Sequence, residues 1–331
     1  MKREAPTKEL HDNHERYDMA SPHTIPFLIG AYASTSGDLP WQEEYYDLLA
    51  QEPWIGGLEI PFFGEGLRED ARWFAQQMRP VYATNVLTPI PGVMQHIGDT
   101  SWGIASPDAD GRADALRFLQ RAVDVIRKMN DLTGRQFFSF LSLHTAPQEK
   151  CSAEALKRSL DELLTWDLDG AALTIEHCDA WTSAHPVEKG FLHLKDELAT
   201  IDALGAEHLY ASINWGRDAI EGRSADLPLE HIKEVAASGH LGGMILSGAH
   251  SQKIGEWEPW IDAHVGLHEH QSESVLTREH ARAAYAAAIE GHPRYIGAKI
   301  SILSGSNPER IALLREIAQL AEKAANQLAE K

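Results

Sequence analysis

Eight short apolar segments, each followed by a stretch of helical character, constrain this chain more than any other feature. They are FLIGAYA (27–33), WIGGLEI (54–60), VYATNVL (81–87), FFSFLSL (137–143), GAALTIE (170–176), LYASIN (209–214), GGMILSG (242–248) and YIGAKIS (295–301). Their length and β-branched content read as strands. Between them lie helical candidates such as 41–50, 112–129, 153–166 and 277–290. In the second of these, Leu116, Leu119, Val123 and Ile126 recur at three- and four-residue spacing and make one apolar face. Ser106-Pro107, Thr277 with Glu279, and Asn307-Pro308-Glu309 read as helix starts.

Strands that are apolar on both faces suit a parallel sheet covered by helices, and eight such units predict a single-domain (β/α)8 TIM barrel over residues 25–331. A doubly wound open sheet is the competing fold. It usually has fewer strands, and no G-x-G-x-x-G follows the first strand here. Residues 1–24 are polar, lack the apolar run of a signal peptide, and read as a disordered tail in which His11, His14 and His23 are solvent-exposed.

The 331 residues carry a formal net charge of −19, which excludes the basic face that a nucleic-acid partner requires. No apolar run approaches the roughly 18 to 20 residues of a membrane span. Two cysteines, Cys151 and Cys178, imply no disulfide framework, and the expected location is the cytoplasm.

In such a barrel the functional side chains gather where strands end and loops begin. Glu59 falls on the second strand, Asn85 on the third, His144 after the fourth and Glu176 on the fifth. Asn214 follows on the sixth with Arg217 beyond it, His250 after the seventh, and Lys299 on the eighth. A buried carboxylate without a partner costs several kcal/mol, roughly, so Glu59 and Glu176 each need a cation or a wet pocket. Arg217 has the fork that suits a carboxylate or phosphate, or it stitches a loop. His177 alternates away from Glu176 and reads as structural. In the long segment 251–275, Trp257 and Trp260 offer flat surfaces for stacking on a sugar ring, or they pin the loop. His264, His268 and His270 in the same segment make only a weak metal signal.

The segments LEI (58–60), LTIEH (173–177) and ILSGAH (245–250) make the chain similar to the xylose isomerase-like TIM barrels, and TPIP, ASPDADGR and YIGAKIS bring it closest to a bacterial family of that group without an assigned function. The resemblance implies a sugar isomerase or epimerase holding one divalent cation, Mn2+ or Mg2+. Four groups hold that ion in such enzymes: a glutamate, an aspartate, a histidine and a glutamate on strands five to eight. Glu176 matches the first and His250 is placed as the third. Asn214 and Lys299 stand where the other two would be, which weakens any metal site, because an ammonium has no lone pair to give.

The resulting expectation is a carbohydrate-active enzyme that abstracts a proton next to a carbonyl, leading to isomerisation, epimerisation or β-elimination. Glu176 is read as the base, His144 or His250 as relays, and Lys299 as the cation that pairs with Glu176 and steadies the enolate. Glu59, Asn85, Asn214 and Arg217 would position a sugar-like substrate. Two alternatives stay open: a sugar-binding barrel that has lost its metal, and a lyase or aldolase using Lys299 as a Schiff base. Self-association of the chain is also left open.

Overall fold

The computed structural model describes residues 25–35, 38–302 and 305–330. The tail 1–24 and its three histidines lie outside them. The strands are β1 Phe27–Ile29, β2 Gly57–Pro61, β3 Val86–Thr88, β4 Phe140–Leu143, β5 Ala172–His177, β6 Leu209–Asn214, β7 Leu241–Leu246 and β8 Tyr295–Ala298. Each pairs in parallel with its sequence neighbours, and β8 pairs with β1, so the sheet closes into a barrel in strict chain order. This is a single-domain (β/α)8 barrel.

The helices are α1 Leu39–Ala50, α2 Ala71–Gln77, α3 Ile90–Val93, α4 Ala109–Thr133, α5 Ala153–Leu163, α6 Leu194–Leu204, α7 Trp215–Gly222, α8 Leu227–Ser238, α9 Arg278–Glu290 and α10 Asn307–Ala329. Among the described residues the helices number ten rather than eight. The extra two arise because α3 forms a single turn before the long α4, and α7 and α8 share the β6–β7 crossover.

Helix starts fall near the expected residues, with local corrections. Asp108, not Ser106, caps α4 by accepting from the Gly111 amide. Thr277 caps α9 in a capping box closed by His280 rather than Glu279. Ser306 and Glu309 close the box that opens α10, one residue before the expected Asn307. In each case a short oxygen-bearing side chain satisfies amides that the first helical turn leaves without partners.

The barrel interior has an apolar floor made of Leu28, Val86, Phe140, Ile245 and Tyr295. Gly243 lets the floor close, since a β-carbon there would sit 2.1 Å from the Tyr295 ring. The main core fills the space between sheet and helices, where one face of α4 buries Leu116, Leu119, Val123 and Ile126 as their spacing predicts. Packing from both sides explains why strands without polar alternation fold here. The charged side chains described next lie beyond the floor, toward the strand ends.

Candidate active site

Lys299 directly follows β8, and its amide donates to the Leu246 carbonyl at 2.8 Å, which carries the strand pairing one residue further. Its Nζ lies 2.7 Å from Glu59 Oε1 and 3.1 Å from the Tyr32 hydroxyl. The Tyr32 hydroxyl in turn donates to the same Glu59 oxygen at 3.0 Å. Lys299 and Glu59 are both buried, so each offsets much of the other's desolvation cost. Burial, with the Glu59 charge added, pushes the Tyr32 phenol well above its ordinary range and keeps it protonated.

A second ion pair forms across the mouth. Arg217, on the first turn of α7, places Nη1 2.8 Å from Glu176 Oε1, and His144 Nε2 lies 2.9 Å from Glu176 Oε2. Burial alone would raise the Glu176 carboxyl, but Arg217, Lys299 and His144 outweigh it and hold the group well below the usual carboxylate range. Burial lowers His144, which stays a neutral imidazole. Its Nε2 faces an ionised carboxylate and therefore carries the hydrogen, which leaves Nδ1 as a buried lone pair without a partner.

The other side of the Arg217 fork reaches Asp262, with Nε 3.0 Å from Oδ2. Lys189 Nζ sits 3.0 Å from that same oxygen, and His264 Nδ1 is 3.0 Å from Oδ1. Burial would raise Asp262, but His264, Lys189 and Arg217 hold it well below its ordinary value. Asn214 is turned by Ser247, whose hydroxyl donates to Asn214 Oδ1 at 2.7 Å, so the amide nitrogen faces Glu176 at 3.4 Å.

This donor set does not fit a divalent cation. Of the four expected ligand positions, Glu176 is already paired with a guanidinium, and the oxygen of Asn214 is taken by Ser247. The residue beside Asn214 at the exit of β7 is Ser247, not a histidine, and the last position is the Lys299 ammonium. An added divalent ion would meet two fixed positive charges, Arg217 and Lys299, in the same buried space.

Glu59, His144, Glu176, Asn214, Arg217 and Lys299 are thus brought together. Lys299, however, pairs directly with Glu59 and not with Glu176 as expected. Asn85 is a correction to the expected site. It precedes β3 at the floor end, where its oxygen accepts the Leu58 amide and its nitrogen donates to the Tyr82 and Phe137 carbonyls. His250 lies four residues past β7, with Nδ1 2.7 Å from the Gln252 carbonyl and its ring tilted against Trp257.

Trp257 lines a separate groove of about 780 Å³ between the 251–275 segment and α10. Trp260 pairs its amide with the His250 carbonyl and packs on the core, so it pins the loop. Tyr32, Lys189, Asp262 and His264 complete the site, beyond the residues expected from the sequence. The Asp262-Ala-His264 spacing inside a long loop was the available signal.

The fold is that of the xylose isomerase-like sugar epimerases. A D-tagatose 3-epimerase-like protein superposes with a TM-score of 0.58 at 12% identity, over 91% of this chain and all of its own. L-ribulose 3-epimerase superposes with a TM-score of 0.53 at 15% identity, over 92% of this chain and 96% of its own. In sequence, an uncharacterized protein of Salmonella typhimurium, STM3670, is 30% identical over 312 residues, covering 90% of this chain and 97% of that protein. Residues 28–313 match the family described as "Domain of unknown function (DUF4862)", and the chain belongs to that family.

Proposed function

We propose that this protein is a sugar epimerase or isomerase in which fixed side-chain cations stand where a metal ion would otherwise act. The observation that carries this reading is the pair of buried ion pairs at one barrel mouth, Lys299 with Glu59 and Arg217 with Glu176. On this reading the ammonium and the guanidinium would stabilise the charge that develops on an enolate oxygen.

His144 takes the proton from the carbon next to the substrate carbonyl. Its unpaired Nδ1 is a free base, and Glu176 behind it stabilises the imidazolium that forms. Glu176 itself is held too acidic to be an effective base. The electrons of the broken C–H bond move onto the carbonyl oxygen, where Lys299 steadies them. A proton delivered to the opposite face of that carbon inverts it, whereas one delivered to the former carbonyl carbon, with the neighbouring hydroxyl giving up its own proton to become the new carbonyl, isomerises the sugar.

Incubation of the protein with a panel of ketoses and aldoses in D2O, followed by proton NMR, tests this reading. One C–H next to the carbonyl should exchange in a substrate, and the exchange should vanish in Lys299→Met and His144→Gln variants that remain folded. A sugar that binds tightly without exchange would make the protein a binding barrel. A borohydride-trapped adduct on Lys299 would make it a Schiff-base enzyme. Either result overturns the proposal.

A further inference from the structure

On β5, Glu176 faces the barrel mouth and its neighbour His177 faces the opposite way, toward the helices. There His177 meets Asp218 and Glu221 of α7, Glu197 of α6 and His231 of α8. One donor atom from each of His177, Asp218 and His231 lies within 4.8 Å of the other two; His177 and Asp218 are buried and His231 is half-buried. His177 Nε2 is 3.0 Å from Glu221 Oε2, and His231 Nδ1 is 3.2 Å from Asp218 Oδ2. The second oxygen of Asp218 is buried without a hydrogen-bond partner. A buried carboxylate oxygen left unpaired is costly, and here it sits among two imidazoles and two further carboxylates.

We propose that this cluster is a structural zinc site, with His177, Asp218 and His231 as ligands and Glu221 as the fourth. Zinc bonds of about 2.0–2.1 Å put tetrahedral donors about 3.3 Å apart; the His177–Glu221 and His231–Asp218 contacts are near that spacing, and the ion would draw the two pairs together. Two imidazoles and two carboxylates form a donor set suited to zinc.

The outer partners are in place as well. Glu197 accepts from His177 Nδ1 at 2.8 Å and is itself held by the Thr145 hydroxyl at 2.8 Å, which fixes the ring with Nε2 toward the ion. The Ala180 amide donates to Glu221 Oε2 at 2.9 Å and anchors that carboxylate near the ion. One divalent cation also brings the same compensating charge to the three carboxylates as two imidazolium protons would. The site joins β5, α6, α7 and α8 on the flank of the barrel, so its role is to lock these elements together. It is separate from the mouth, where the donors do not suit a metal.

The full-length protein, stripped with a chelator and dialysed, should take up one zinc per chain by elemental analysis and rise in melting temperature. Cobalt in place of zinc should give the visible absorption of a tetrahedral site. Asp218→Asn and His231→Gln should abolish stoichiometric uptake. Glu197→Gln should weaken it by about 10- to 100-fold, while Glu176→Gln at the mouth should keep it. Wild-type protein that takes up no stoichiometric zinc and shows no thermal shift overturns the proposal without recourse to any variant. Zinc retained in both ligand variants, or lost in Glu176→Gln, overturns it equally.

Discussion

Lys299 Nζ sits 2.7 Å from Glu59 Oε1, joining residues 240 positions apart in the chain. The contact exists because the barrel closes by pairing β8 with β1, which brings the end of the last strand beside the first two. Removing the ammonium leaves Glu59 as an uncompensated buried charge. Lys299→Met should therefore lose about 3–5 kcal/mol of stability together with solvent-deuterium exchange into substrate. Adding Glu59→Gln should recover most of the stability and none of the exchange. Denaturant melts and NMR on the single and double variants check both parts.

Gly30 makes room for the Lys299 stem. A β-carbon at position 30 would lie 2.6–2.8 Å from Lys299 Cγ, Cβ and Cδ. The Gly30 backbone is otherwise ordinary, with φ −78°, so the conflict is one of contact alone. Gly30→Ala should cost about 1–3 kcal/mol from overpacking. It should also lower kcat by up to about 100-fold by shifting the ammonium off its position. Activity unchanged beside a normal melt would show that the lysine stem is not held against this glycine.

Asn85 separates structural from catalytic roles. Its side chain makes three hydrogen bonds to backbone groups of neighbouring segments at the barrel floor. Asn85→Ala leaves buried amide and carbonyl groups without partners and should destabilise the fold by about 3 kcal/mol. Turnover of the folded fraction should match the wild type. A large fall in kcat/KM at constant stability would return Asn85 to the site.

The barrel itself was legible because burial on both strand faces produces continuous apolar runs, and eight such runs leave few other folds. The charged residues within those runs were equally visible, Lys299 above all. Their pairing was not, because it depends on register around the closed sheet. Strand five seemed the natural partner for Lys299, yet barrel closure delivered strand two.

Asn85 lies away from the mouth because β3 starts at Val86, which puts the residue at the beginning of the strand and not at its exit. His264 was passed over for His250 because segment 251–275 has no periodicity from which its path could be derived. Only the folded loop shows that Asp262 and His264, and not His250, meet the Arg217 network.

Glu176 allows a test by pH. In the folded protein its carboxyl is held well below the ordinary glutamate value of about 4.3. A group depressed in this way contributes stability that is present above its unfolded value and is lost as pH falls through the folded value. Glu176→Gln removes that contribution and leaves the Arg217 charge short of one buried partner, with Asp262 remaining. At pH 7 the variant should be less stable than the wild type by about 3–5 kcal/mol. Below about pH 4 the gap should narrow, because the unfolded wild-type chain then takes up a proton at Glu176 that the folded protein does not bind. Comparing the two proteins cancels the other carboxylates, whose shifts run in both directions. Urea unfolding of both at steps from pH 7 to pH 3 measures the gap directly. A gap that stays constant over that range would mean that Glu176 is not the counter-ion that holds Arg217 at the barrel mouth.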